Sequence, residues 1–210
     1  MKQLILGGAR SGKSSLAESR AQQWTQNKNG TLHYVATALP FDDEMKQRIA
    51  HHRLQRGAGW IEHECPLNLP ELICEFSSQD VVLVDCLTLW LNNWIFELGD
   101  DCCNKRLEEK IERVVNAAAQ SEATLIFVSN EVGMGIVPLG AISRYFVDNA
   151  GRMNQSWRQC VSMSRLSQQA CHLNSNHSKG RDENAEYLFT ATRKSERSPS
   201  FTRTSRFKSG

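Results

Sequence analysis

The sequence predicts an α/β protein with a mostly parallel central sheet and helices on both faces. Three observations carry this. Short apolar runs alternate with helical patterns along the first 155 residues, as a parallel sheet with crossover helices requires. The first run opens into Gly7-Gly8-Ala9-Arg10-Ser11-Gly12-Lys13-Ser14, a complete match to G-x-x-x-x-G-K-[ST]. The cleanest run, Val81-Val82-Leu83-Val84, ends on an acid, Asp85. Together these specify a P-loop NTPase-like fold.

Residues 3–6 are a short apolar run before glycines and read as a buried strand. Residues 14–24 follow as a helix, with Leu16, Ala17, Ala21 and Trp24 at helical spacing. Residues 32–38 form a second strand, closed by Pro40. Residues 42–53 read as a helix: Asp42, Asp43 and Glu44 suit the positive end of a helix dipole. Gly57 and Gly59 end it. Residues 81–84 are a third strand, and residues 87–98 an apolar helix. Residues 105–122 are amphipathic, with Leu107, Ile111, Val114, Val115 and Ala118 on one stripe. Residues 124–129 are another buried strand, and residues 144–155 another helix.

The pattern then changes. Beyond about Ser156 no convincing buried strand is expected; residues 187–192 are a weak candidate, and residues 195–210 have the composition of disorder. The division is thus a nucleotide-binding domain over residues 1–155 and a polar, basic, poorly ordered tail over residues 156–210. That tail carries ten Lys/Arg against four Asp/Glu, a net of +6, which leaves −4 on the preceding residues.

Composition narrows the function classes. A chain of 210 residues, 40% hydrophobic, suits one soluble α/β domain. No run of about 18 apolar residues occurs, so no membrane span is expected. Residues 1–6 are too short for a signal-peptide core. Seven cysteines without a CxxC motif point to a reducing, cytoplasmic setting. A net charge of +2 implies no polyanionic partner. The basic tail lacks the interleaved aromatics of a stacking platform, so no nucleic acid is expected. The oligomeric state is left open, a homo-oligomer included.

The phosphate loop explains its own residues. Glycines let backbone N–H groups wrap a phosphate, Lys13 neutralises the outer phosphates, and the Ser14 hydroxyl suits Mg²⁺. The following helix adds its positive end. A second metal anchor is usually an acid at a strand end, and Asp85 fits.

A second segment, Ile49-Ala50-His51-His52-Arg53 with Arg56 beyond, is open to several readings. Adjacent helical residues point about 100° apart, so the two histidines cannot do the same job. One imidazole suits attack on a nucleotide α-phosphate, with Arg53 and Arg56 on the phosphates. A metal site would need His51, His52, His63 and Cys65, a spacing that matches no standard zinc pattern. Plain surface histidines on a polar helix are the third reading.

These motifs, with Tyr34-Val35-Ala36-Thr37-Ala38, Asp42-Asp43-Glu44-Met45, residues 60–64, Asn130-Glu131-Val132-Gly133-Met134-Gly135-Ile136-Val137-Pro138 and residues 148–155, carry a resemblance. In order and spacing they resemble the bifunctional adenosylcobinamide kinase and adenosylcobinamide-phosphate guanylyltransferase family of cobalamin biosynthesis. The resemblance implies phosphorylation of the aminopropanol hydroxyl of adenosylcobinamide by ATP or GTP. It also implies transfer of GMP from GTP to that phosphate through a guanylyl-histidine. The implied nucleophile is His51. Implied nucleotide contacts are the loop itself, Ala36, Thr37, Ala38, His52, Arg53, Leu54, Gln55, Glu64 and Asp85. Arg53 stands where the family often has Lys. Family members follow residues 151–155 with the rest of a helix and a final apolar strand, whereas here the chain becomes polar, as if its C-terminus had been replaced.

Overall fold

The computed structural model describes residues 1–40, 43–161 and 163–167. The elements run β1 (Lys2–Gly7), α1 (Lys13–Lys28), β2 (Thr31–Ala36), α2 (Asp43–Arg56), β3 (Ile61–Glu64), α3 (Leu69–Ile73), β4 (Asp80–Asp85), α4 (Leu87–Leu98), α5 (Asn104–Gln120), β5 (Thr124–Asn130), α6 (Ala141–Cys160) and β6 (Met163–Ser167). The six strands form one sheet, in the order β3-β2-β4-β5-β1-β6. Every pairing is parallel. The strand–helix alternation read from sequence is therefore the architecture.

The alternation of side chains explains the unbroken apolar runs. Along a strand, successive residues face opposite sides of the sheet. Leu4, Leu6, Val35, Val82, Val84, Leu125 and Phe127 join one core, shared with α3, α4, α5 and α6. Ile5, Leu32, Tyr34, Val81, Leu83, Ile126 and Val128 join a second, shared with Ala17 and Ala21 of α1. A strand covered on both faces needs apolar residues at every position. The predicted stripe of α5 is buried at all five positions. Between α1 and β2 the chain requires Gly30: a Cβ there would lie 2.1 Å from the Gln79 carbonyl oxygen.

Three elements were not expected. β3 reads Ile-Glu-His-Glu and lies at the sheet edge, with Ile61, Glu62 and Glu64 exposed, so it has no apolar run to detect. α3 has five residues, too few to show a period. The third lies past residue 155. Helix α6 continues to Cys160, with Trp157 fully buried and its ring 4.1 Å from that of Phe127. β6 then pairs with β1, from Gln3 opposite Met163 to Gly7 opposite Ser167. Met-Ser-Arg-Leu-Ser is too polar to announce a strand; the open edge of β1 supplies the pairing. The weak strand at residues 187–192 and the disorder expected for residues 195–210 lie outside the described residues.

Candidate active site

The parallel sheet brings the carboxyl ends of β1, β2, β4 and β5 to one side, where α/β sheets bind ligands. The loop after β1 turns there on two left-handed residues, Arg10 at φ +55° and Gly12 at φ +82°. Gly12 caps α1, which begins at Lys13. The Lys13 ammonium donates to the Gly8 carbonyl at 2.9 Å and is buried. Burial lowers its pKa; the Asp85 carboxylate and Cys86 oppose that. Asp85 is thus within electrostatic reach of Lys13. The Ser11 hydroxyl is buried with no partner among the described residues, a donor that a phosphate oxygen would satisfy. Ser14 is half-buried in the first turn of α1.

Below the loop, a polar latch ties three strand ends together. The Thr37 hydroxyl donates to the Cys86 carbonyl and accepts from the Cys86 N–H, both at 2.8 Å. The Thr37 N–H donates to the Asp85 carbonyl, and Asn93 donates to the Thr37 carbonyl at 2.8 Å. Thr88 Oγ1 accepts from Asn130 Nδ2 at 2.9 Å and lies 3.1 Å from Cys86 Sγ. Burial pushes the Cys86 thiol up to about 11, so it is neutral. Thr37 is fully buried and its hydroxyl is committed to this latch. Ala36 and Ala38 flank it at the end of β2, half-buried.

The residues after the double histidine are drawn to β3. Arg53 bridges Glu62 at 2.8 Å and Glu64 at 2.9 Å. Arg56 pairs with Glu62 at 2.6 Å and lies over the Tyr34 ring, 3.5 Å from its centroid. Two expected nucleotide contacts, Arg53 and Glu64, are therefore partners of each other. Arg56, a candidate phosphate holder in one reading of the sequence, is 7% exposed and faces Tyr34 and Glu62. The Arg56 guanidinium holds the Glu62 carboxyl below the usual range. His51 lies in the α2 backbone, and its side chain and that of Gln55 fall outside what is described. His52 and Leu54 are exposed on α2.

His63 Nε2 lies 3.0 Å from His33 Nδ1, and His33 contacts Asp80 at 3.2 Å. No group of three His, Cys, Asp or Glu among the described residues could hold a metal. Ser14, in the first turn of α1, and Asp85, the last residue of β4, carry hard oxygen donors, the kind Mg²⁺ takes beside phosphate oxygens and water.

The segment after β5 returns to the loop. The Glu131 N–H donates to the Gly7 carbonyl at 3.0 Å, and the Glu131 carboxylate accepts from the Gly133 N–H at 2.8 Å. Beyond, Met134, Ile136, Val137, Leu139 and Ile142 are all more than two-thirds exposed. Single-sequence reading missed Tyr34, Glu62 and Thr88 as site-building residues. Only the Glu-x-Glu alternation at Glu62 and Glu64 hinted that one face of β3 is polar.

A parallel sheet with a complete phosphate loop at the carboxyl end of its first strand defines a P-loop nucleotide-binding enzyme. The family model for cobinamide kinase / cobinamide phosphate guanyltransferase matches residues 3–171, and the chain belongs to that family. It is 45% identical to the bifunctional adenosylcobalamin biosynthesis protein CobP of Pseudomonas aeruginosa, over 74% of this chain and 86% of that one. It is 37% identical to the bifunctional adenosylcobalamin biosynthesis protein CobU of Salmonella typhimurium, and 38% to that of Escherichia coli. Each match covers 72% of this chain and 87% of the relative. The family match extends past residue 155, where sequence reading had ended the resemblance. No helix among the described residues is long and apolar enough to cross a membrane.

Proposed function

We propose that the chain phosphorylates adenosylcobinamide with ATP or GTP and then transfers GMP from GTP to the product, with His51 as the covalent carrier. The carrying observation is the family match over residues 3–171 in a chain with an intact phosphate loop. In the first reaction the aminopropanol oxygen bonds to the γ-phosphorus, the β,γ-bridging P–O bond breaks, and the hydroxyl proton leaves. In the second, a His51 ring nitrogen bonds to the α-phosphorus of GTP and pyrophosphate departs. An oxygen of adenosylcobinamide phosphate then attacks the same phosphorus, breaking the P–N bond and giving adenosylcobinamide-GDP. A phosphoramidate is energetic enough to pass GMP onward, and neutral imidazole is available near pH 7.

The loop residues do the holding. Gly7, Gly8, Ala9, Arg10, Ser11 and Gly12 present backbone N–H groups, and Lys13 with Arg10 offsets charge on the leaving pyrophosphate. Mg²⁺ would be held by Ser14 and Asp85, where it would neutralise phosphate charge. Ala36, Ala38, His52, Arg53, Leu54, Gln55 and Glu64 complete the nucleotide surface, and Thr37 contributes by fixing the end of β2. The Gly133–Gly135 loop, with its exposed apolar side chains, is read as ligand-facing; a second copy of the chain is the other occupant that surface suits. Cys65, Cys74, Cys86, Cys102 and Cys103 are free thiols, which supports a cytoplasmic setting.

Incubation with GTP labelled at the α-phosphate tests the covalent step. The expected adduct is acid-labile and base-stable, and it carries no label from the β- or γ-phosphate. Protein that binds GTP but retains no α-label after denaturation would reduce the reading to a P-loop kinase without guanylyl transfer.

A further inference from the structure

Helix α2, which carries the double histidine, and Asp85, at the end of β4, belong to separate parts of the chain. One side chain touches both. The Tyr34 hydroxyl donates to Asp85 Oδ2 at 3.4 Å, and the Tyr34 ring carries the guanidinium of Arg56, the last residue of α2. Trp60 meets the same ring edge-on, 6.0 Å between centroids. Arg56 is buried, is held in place by Glu62 at 2.6 Å, and has no partner for its Nε among the described residues. An arginine so enclosed draws on the aromatic face as well as on Glu62, because a cation held away from water is attracted to the ring.

We propose that Tyr34 is a positioning residue joining the two halves of the site: its hydroxyl orients the Asp85 carboxylate, and its ring seats the C-terminal end of the histidine-bearing helix through Arg56. The assignment rests on the functional reading above for the roles of Asp85 and His51, and on geometry alone for the contacts. Tyr34 itself touches no reacting atom. Its two contacts use different parts of the side chain, so they separate by substitution. Tyr34→Phe keeps the ring under Arg56 and deletes the hydroxyl. Arg56→Met keeps the hydroxyl bond and deletes the cation.

The experiment measures two quantities on wild type and both variants: Mn²⁺ affinity of the protein–GTP complex by electron paramagnetic resonance, and the rate of α-label incorporation from GTP at saturating Mg²⁺. Tyr34→Phe is expected to weaken Mn²⁺ affinity about 3- to 10-fold, the loss of one hydrogen bond to a charged group, with the labelling rate within about two-fold of wild type. Arg56→Met is expected to do the reverse, slowing labelling at least ten-fold with Mn²⁺ affinity unchanged. Melting temperatures identify a misfolded variant, for which Arg56→Lys, a cation without the planar stack, replaces Arg56→Met and is expected to rescue labelling only in part. Wild-type Mn²⁺ affinity in Tyr34→Phe, or both quantities falling together in each folded variant, overturns the proposal. Absence of label in wild type itself fails the guanylyltransferase reading instead, and the Mn²⁺ arm still decides the Tyr34–Asp85 link.

Discussion

At the scale of single residues, the site is built from charges held where water is scarce. Lys13 is buried and bonded to Gly8 of its own loop, so it is poised for a phosphate that displaces that contact. Lys13→Ala should lower turnover with GTP or ATP about 10²- to 10³-fold, the usual cost of one charge-stabilising group; unchanged steady-state rates would remove the loop from the chemistry. Glu62 carries a pH prediction. Arg56 holds its carboxyl below the ordinary range, ahead of a smaller opposing effect of burial. Its folded pKa lies below its unfolded one, so the stabilisation is complete above about pH 4.3 and is lost as pH falls through the folded value. Glu62→Gln should cost about 1–3 kcal/mol at neutral pH, because it removes a charged partner from buried Arg56, and should flatten the loss of melting temperature below about pH 4. Parallel acid limbs for mutant and wild type would contradict this. The phosphate loop was legible because its chemistry fixes residue types at fixed spacing. The setting of Arg56 was not legible because sequence gives its charge but not its burial: Tyr34, 22 positions earlier, lies under its guanidinium.

At the scale of elements, the signal was strongest where both faces are covered. β1, β4 and β5 announce themselves as apolar runs because one core lies on each side. The α5 stripe shows because only one face is buried. β3 is silent because its edge position leaves it one neighbour and exposes its glutamates. The latch between strand ends was equally hidden: Thr37, Cys86, Thr88, Asn93 and Asn130 come from four elements and the turns beside them, and no local pattern links them. It carries its own test. Thr37→Val removes a hydroxyl that both donates to and accepts from Cys86; the Cys86 carbonyl keeps the Trp90 N–H, but the Cys86 N–H is left unpaired. Destabilisation of about 1–3 kcal/mol by chemical denaturation is expected. A variant as stable as wild type would mean that water replaces the hydroxyl.

At the scale of the whole molecule, the described fold does not stop where its polar sequence begins. Trp157 and Val161 are buried in the larger core, and β6 covers the outer edge of β1, the strand that feeds the phosphate loop. Trp157→Ala should cost about 3–5 kcal/mol, and a chain ended after Gln155 should lose more, with its β1 edge open to association. A truncated protein that remains monomeric and melts like wild type would support a domain that ends at residue 155. The proposed activity asks one sheet end to serve phosphoryl transfer and, through His51, guanylyl transfer. Its most direct test is intact and peptide mass spectrometry after incubation with GTP and Mg²⁺, on wild type, His51→Ala and His52→Ala. The account predicts one added GMP on the peptide containing His51 in wild type, none in His51→Ala although GTP still binds, and retained adduct in His52→Ala. Adduct kept in His51→Ala and lost in His52→Ala would move the nucleophile by one residue; adduct in neither variant nor wild type would contradict the guanylyltransferase half outright.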